Sequence, residues 1–169
     1  MPSGSGRTFI TPDAAGAADR EALVRLLDEP VPYLDHPDTE VRRLAISVCT
    51  GSGLTDEAVV VISRLAEGDS DGAVRAMAAE ALGGAGNRAA AVLDAVRSDD
   101  DPRVREAVAT AYGELRHQAA VPWLIDLAVT DGDRPGREAA VAALGAIGDD
   151  AALPVLLELV ANAPPQVRR

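Results

Sequence analysis

The sequence predicts an all-α protein built as a solenoid of stacked helix pairs. Three observations carry this expectation. One phrase recurs four times, centred on Arg42, Arg75, Arg105 and Arg137, at steps of 33, 30 and 32 residues. Apolar residues within each copy fall at helical spacing, and no stretch alternates as a half-buried strand would. Hydrophobic residues make up 47% of the 169-residue chain but aromatics only 2%. A core of Ala, Val and Leu favours closely packed helices over an aromatic-rich sandwich.

Taken in order, residues 1–17 read as a lead-in rich in Gly, Ser and Pro, without the basic start and apolar stretch of a signal peptide. Residues 18–163 form the repeat region, and 164–169 a tail begun by Pro164 and Pro165. The first helical segment is expected over 19–34. The four phrases follow: "HPDTEVRRLAISVCTGSG" from 36, "DSDGAVRAMAAEALGGAG" from 69, "DDDPRVREAVATAYGEL" from 99 and "DGDRPGREAAVAALGAIG" from 131. Four residues before each central Arg stands an acid, Asp38, Asp71, Asp101 or Asp133, suited to cap the free N–H groups of a helix start. Val104, Ala107, Val108, Ala111, Tyr112 and Leu115 then share one helical face, as do Val74, Met77, Ala78, Ala81, Leu82 and Ala85. Gly53, Gly86 and Gly148 are expected to end three of these helices, while the third copy has Arg116 at that point. Second helical segments lie between the phrases, at 55–68, 87–99, 118–130 and 150–162. The total is about nine helices in four to five pairs. Neither member of a pair can bury its apolar stripe alone, so the pairs must stack.

The entrance "D-x-D-x-x-V-R" and exit "A-x-x-A-L-G-x-x-G" resemble the short HEAT-like repeats also called PBS-lyase HEAT-like repeats, over about residues 19–162. The resemblance implies a right-handed α-solenoid whose Asp-capped helices line the concave side. It also implies a structural ladder of Asp69, Asp99 and Asp131 with Arg42, Arg75, Arg105 and Arg137. His36 replaces the Asp of the first copy, which puts that step in question. On the concave side the candidates for binding are Arg43, Ser47, Glu80, Glu106, Thr110, Glu114 and Glu138, off the apolar stripe.

Composition narrows the function. The formal net charge is −11, which argues against non-specific binding to nucleic acid or to an anionic membrane. No run of about 18 apolar residues exists. All 16 basic residues are Arg, so chemistry that needs a lysine Schiff base or a P-loop lysine is excluded. Cys49 is the only cysteine and sits in an apolar pattern, where a buried structural thiol is expected. His36 and His117 are the only histidines and lie more than two repeats apart, so no metal site is expected. "GGAGNRA" and "TGSGL" lack the strand that a dinucleotide fingerprint or a nucleophile elbow needs, and read as turns. Trp123 is expected to be a partly buried core residue.

The expected function is a non-catalytic scaffold or adaptor, without cofactor, bacterial and cytoplasmic. It would hold a protein or peptide, possibly a basic one, on the concave face. An accessory subunit resembling the bilin-attaching lyases with such repeats is the alternative. A HEAT-like DNA glycosylase ranks last, because it needs a basic face and aromatics to cradle a base. The last helix, with Leu153, Leu156, Leu157 and Val160, could pair with a second copy as a homodimer.

Overall fold

The computed structural model describes residues 21–162, so the lead-in over 1–17 and the tail from 164 lie outside the described residues. The described residues form nine α-helices and no strand. Helix α1 includes residues 21–28. It is followed by α2 (Thr39–Ser52), α3 (Asp56–Gly68), α4 (Gly72–Gly83), α5 (Ala90–Val96), α6 (Pro102–Leu115), α7 (Val121–Thr130), α8 (Arg134–Ile147) and α9 (Leu153–Asn162). The segment expected as one helix over 19–34 is broken. Pro30 and Pro32 cannot donate within a helix, and a 3-10 turn over Val31–Asp35 takes its place. Short 3-10 turns also lead into α5, α7 and α9, and Pro122 lies in the first turn of α7, where its missing N–H is harmless.

Asp38, Asp71 and Asp101 cap α2, α4 and α6 by accepting the N–H two residues on, from Glu40, Ala73 and Arg103. Asp133 precedes α8 without such a bond, because the residue two further on is Pro135, which has no N–H to give. At the other ends, Gly53 and Gly148 have φ of 94° and 71°. Gly86 does not end α4 as expected. The helix stops at Gly83, and Gly86, at φ 67°, enters the next turn. Arg116 takes the left-handed position after α6 itself, with φ 49°.

The helices form two layers. Helices α2, α4, α6 and α8 make one, and α3, α5, α7 and α9 the other. Neighbours in the first layer pack against each other far more intimately than those in the second, so the first layer is the inner, concave one. Small residues allow this approach. A Cβ placed on Gly113 of α6 would lie 3.0 Å from the Cα of Ala143 on α8. Larger side chains fill the space between layers, with Leu34, Ile46, Ile62, Leu82, Leu124 and Leu144 fully buried. Cys49 is buried among them, and burial pushes its thiol pKa up. Tyr112 stands where the other copies have Cys49, Leu82 and Leu144. It is fully buried, and its hydroxyl donates to Asp94 of α5 at 2.6 Å. The His117 ring stacks on it at 5.4 Å, and half-buried Trp123 meets it edge-on at 5.7 Å.

Charged side chains fasten the loop edge of the stack. Arg42 donates to the Asp69 carboxylate through Nε (2.8 Å) and Nη2 (2.9 Å). Arg75 does the same to Asp99, and Arg105 to Asp131. Each arginine therefore reaches forward to the next repeat. The Nη1 of each of the four arginines turns back to the carbonyl six residues earlier, on His36, Asp69, Asp99 or Asp131. The aspartates also accept the N–H of the capping residue two on, Asp71, Asp101 or Asp133. His36 keeps that last duty, since its Nδ1 accepts from Asp38 at 3.1 Å. The first step runs from Arg42 to Asp69 and is intact. Among the described residues, Arg137 meets no carboxylate on its outer edge.

Burial decides what these pairs contribute. The Arg42 and Asp69 side chains are 11% and 4% exposed, against 64% and 63% for the pair Arg64–Asp35. Asp69→Asn is expected to cost about 3 kcal/mol because it strands a buried cation, and Asp35→Asn less than about 1 kcal/mol; denaturant midpoints check both. The arginines beside them hold the Asp99 and Asp131 carboxyls below the usual carboxylate range, and Arg103 holds Asp101 down at about 2. The stability they contribute is fully present above the ordinary carboxylate pKa and is lost as pH falls through the lowered folded values. Asp99→Asn should therefore lag behind wild type at neutral pH, and the gap should close as acidification carries the pH below the ordinary carboxylate range. Two glycines give opposite signs in a thermal melt. Gly113→Ala must push α6 from α8 and should cost about 1 kcal/mol net, whereas at Gly145, where a Cβ meets nothing within 4 Å, Ala should gain about 0.5 kcal/mol.

Candidate functional site

Offsets from the ladder arginines place the candidate site. One and five residues after each arginine, a side chain projects on the face of its helix turned from the second layer. On α2 these are Arg43 and Ser47, on α4 Ala76 and Glu80, on α6 Glu106 and Thr110, and on α8 Glu138 and Ala142. Glu114 continues the row on α6. The three helices α2, α4 and α6 run in parallel. Gly72 at the start of α4 abuts Asp101 at the start of α6, and Gly83 at its end abuts Ala111 and Glu114 near the end of α6.

Six of the seven concave candidates line one groove over α4. Its upper part, about 460 Å³, is bounded by Arg43, Glu80, Arg103, Glu106 and Thr110, over a floor of Ala73, Ala76, Met77 and Ala107. Its lower part, about 320 Å³, is bounded by Ser47, Thr50, Glu80 and Glu114, over Ile46, Met77 and Ala81. Met77 and Glu80 belong to both parts. Glu138 does not join them. It is exposed on α8 and bonded to Arg134 at 2.8 Å. The concave candidates left out several lining residues, Met77 and Arg103 among them. Met77 was placed on the apolar stripe of the core but is half-buried and forms the groove floor. Arg103 lies two residues before the ladder arginine, one turn from Glu106, and a helical wheel would have shown it.

Charges in the groove are unevenly satisfied. Arg43 donates to Glu40 at 2.8 Å, although its Nε is buried without a partner. Arg103 donates to both oxygens of Asp101, at 3.0 and 2.6 Å. No ion pair among the described residues includes Glu80, Glu106 or Glu114. The ladder residues lie away from this groove, lining crevices along the loop edge. Trp123 borders one of these, of about 380 Å³, with Asp100 and Asp126. Among the described residues no group of three or more His, Cys, Asp or Glu could hold a metal ion, and no helix is long and apolar enough to cross a membrane.

Comparison with known proteins agrees with this geometry. A solved structure, the complex of CpcE and CpcF of phycocyanin lyase from Nostoc sp. PCC7120, is similar to the chain at a TM-score of 0.70 and 26% identity. The likeness covers 99% of this chain and 64% of that one, so the chain spans under two thirds of that protein's length. No curated protein sequence matches significantly. The family model for HEAT repeats matches residues 27–95 and 89–169. With the repeated phrase, the two helical layers and this match over most of its length, the chain belongs to the HEAT-repeat family.

Proposed function

We propose that the chain is a non-catalytic scaffold that holds a segment of a protein partner in the concave groove over α4, in the cytoplasm. The observation that carries this reading is the groove itself. It has an apolar floor at Met77, bordered by side chains that differ from repeat to repeat, whereas the ladder arginine is the same in all four copies. A face that serves only the stack needs neither the gap nor the variety.

A second reading is favoured by the likeness to the CpcE–CpcF complex. In it the chain is an accessory subunit that assembles with another protein, in the manner of a bilin-attaching lyase. The exposed Leu153, Leu157 and Val160 on α9 offer a face for such assembly or for a second copy. In the homodimer form, light scattering at high concentration should give twice the chain mass, falling to one chain mass in Leu157→Glu. A bilin added to the purified protein should shift its visible absorbance if the chain itself holds the chromophore.

The groove is tested by pull-down from native lysate. Met77→Arg fills the floor, while Val60→Arg places the same group on α3, where Val60 is already 70% exposed. A partner retained by wild type and by Val60→Arg but reduced at least about tenfold by Met77→Arg is the expected outcome. Equal retention by all three would overturn the groove as the binding face.

A further inference from the structure

The groove described above is not neutral, and its charge sits at the wrong end of its helices. Glu80 lies in the last turn of α4, and Glu114 is the last residue but one of α6. Helix C-termini carry a partial negative charge and favour cations. Here two carboxylates border one small space at the C-terminal ends of three parallel helices. Glu114 leans across toward α4, so that its Oε2 occupies the space a Cβ on Gly83 would need. A side chain at position 83 would displace it. Glu106 adds a third carboxylate in the upper part. The two arginines of the groove form their ion pairs outside it, Arg43 with Glu40 and Arg103 with Asp101.

Many of the other acids follow the rules. Asp38, Asp71 and Asp101 cap helix starts, and Asp69, Asp99 and Asp131 pair with arginines. Glu67, also unpaired among the described residues in the last turn of α3, stands alone there, whereas the groove sets two such carboxylates on one space. A local rule broken at a cavity, with no compensating partner in the fold, marks a place where the compensation comes from outside. Between the acids the apolar surface within reach is half-buried Met77, seated over the buried Ile46 and Ala81. The occupant must therefore bring an apolar contact and positive charge together.

From this we infer that the groove takes an amphipathic, basic segment of a protein partner, with an apolar side chain on Met77 and a lysine or arginine between Glu80 and Glu114. The inference rests on the concave-groove reading and gives it a chemistry. The cation would replace the missing countercharge at the helix ends, and the Ser47 and Thr50 side chains border the same space.

The test uses two labelled amphipathic peptides of roughly 15 residues, identical except that one carries Lys where the other carries Glu. Their affinities are read by fluorescence anisotropy at several salt concentrations. The proteins are wild type, Glu80→Gln/Glu114→Gln, Met77→Arg, and a control, Glu57→Gln/Glu158→Gln, which changes charge equally on the outer helices. The Lys peptide should bind wild type, lose about tenfold or more in affinity to Glu80→Gln/Glu114→Gln and to Met77→Arg, and change by less than about twofold with the control. The double groove variant should also raise the denaturation midpoint, since it removes anions from helix C-termini. Equal losses in both double variants would reduce the binding to the net charge of −11 and overturn the inference. Tighter binding of the Glu peptide, abolished by Met77→Arg, would keep the groove as a docking face and discard its proposed chemistry. If neither peptide responds to Met77→Arg, the inference falls, and the pull-down alone decides the wider reading.

Discussion

A guanidinium has donors on two edges, and Arg42, Arg75 and Arg105 divide theirs between two repeats. One edge holds the carbonyl of the loop that opens its own helix, and the other holds the aspartate that opens the next pair. That aspartate in turn positions the backbone N–H of the capping residue. Helix starts, loop shape and repeat spacing are thus set by one hydrogen-bonded unit. Because the unit anchors the N-terminal ends of the inner helices side by side, those helices run parallel and close. Their small residues then meet, as Gly113 meets Ala143, and the inner layer is compressed relative to the outer one. The concave groove follows from that compression.

The same economy explains what could be read from the sequence. The aspartates that open the helices and the helical apolar spacing are short-range patterns that recur along the chain, so chance agreement was excluded by repetition, whereas the ladder, whose partners stand 24 to 27 residues apart, came from the resemblance to HEAT-like repeats. Six concave residues were legible because a helix puts offsets of one, five and nine residues on one face. Single-copy features were harder. Pro30 and Pro32 break the first segment, a signal that was in view but was outweighed by the apolar pattern around it. Pro135 removes the N–H that Asp133 would cap, which required counting two residues beyond the motif. Met77 follows the core periodicity of its helix, and only the position of α6 shows that it floors a groove instead. Glu138 obeys the same offset as its counterparts yet falls outside the groove, because its helix lies beyond α6. The bond from Tyr112 to Asp94 joins residues in different helices and carries no local trace.

The protein also divides its charges by task. Buried acids are answered within the fold, and their lowered pKa values follow from arginine partners. The groove acids are not answered within the fold. An overall negative charge disperses such residues widely, so composition alone gave no reason to single out Glu80 and Glu114. What separates them is position, at helix ends that disfavour them and beside an apolar floor.

The ladder has one further property. Its rungs are chemically alike, so any of these arginines suits any of these aspartates. Excising residues 69–98 in one piece would bring Arg42 to face Asp99, an acceptor equivalent to the Asp69 it lost. The seam would close with every ladder step made, although Asp56 would lose Arg88. It would nevertheless remove Asp94 and leave the Tyr112 hydroxyl buried without its acceptor. Units of this chain are therefore interchangeable along the loop edge but not in the interior. Tyr112 acts as a key that fits α6 to one neighbour and records the order in which the repeats stand.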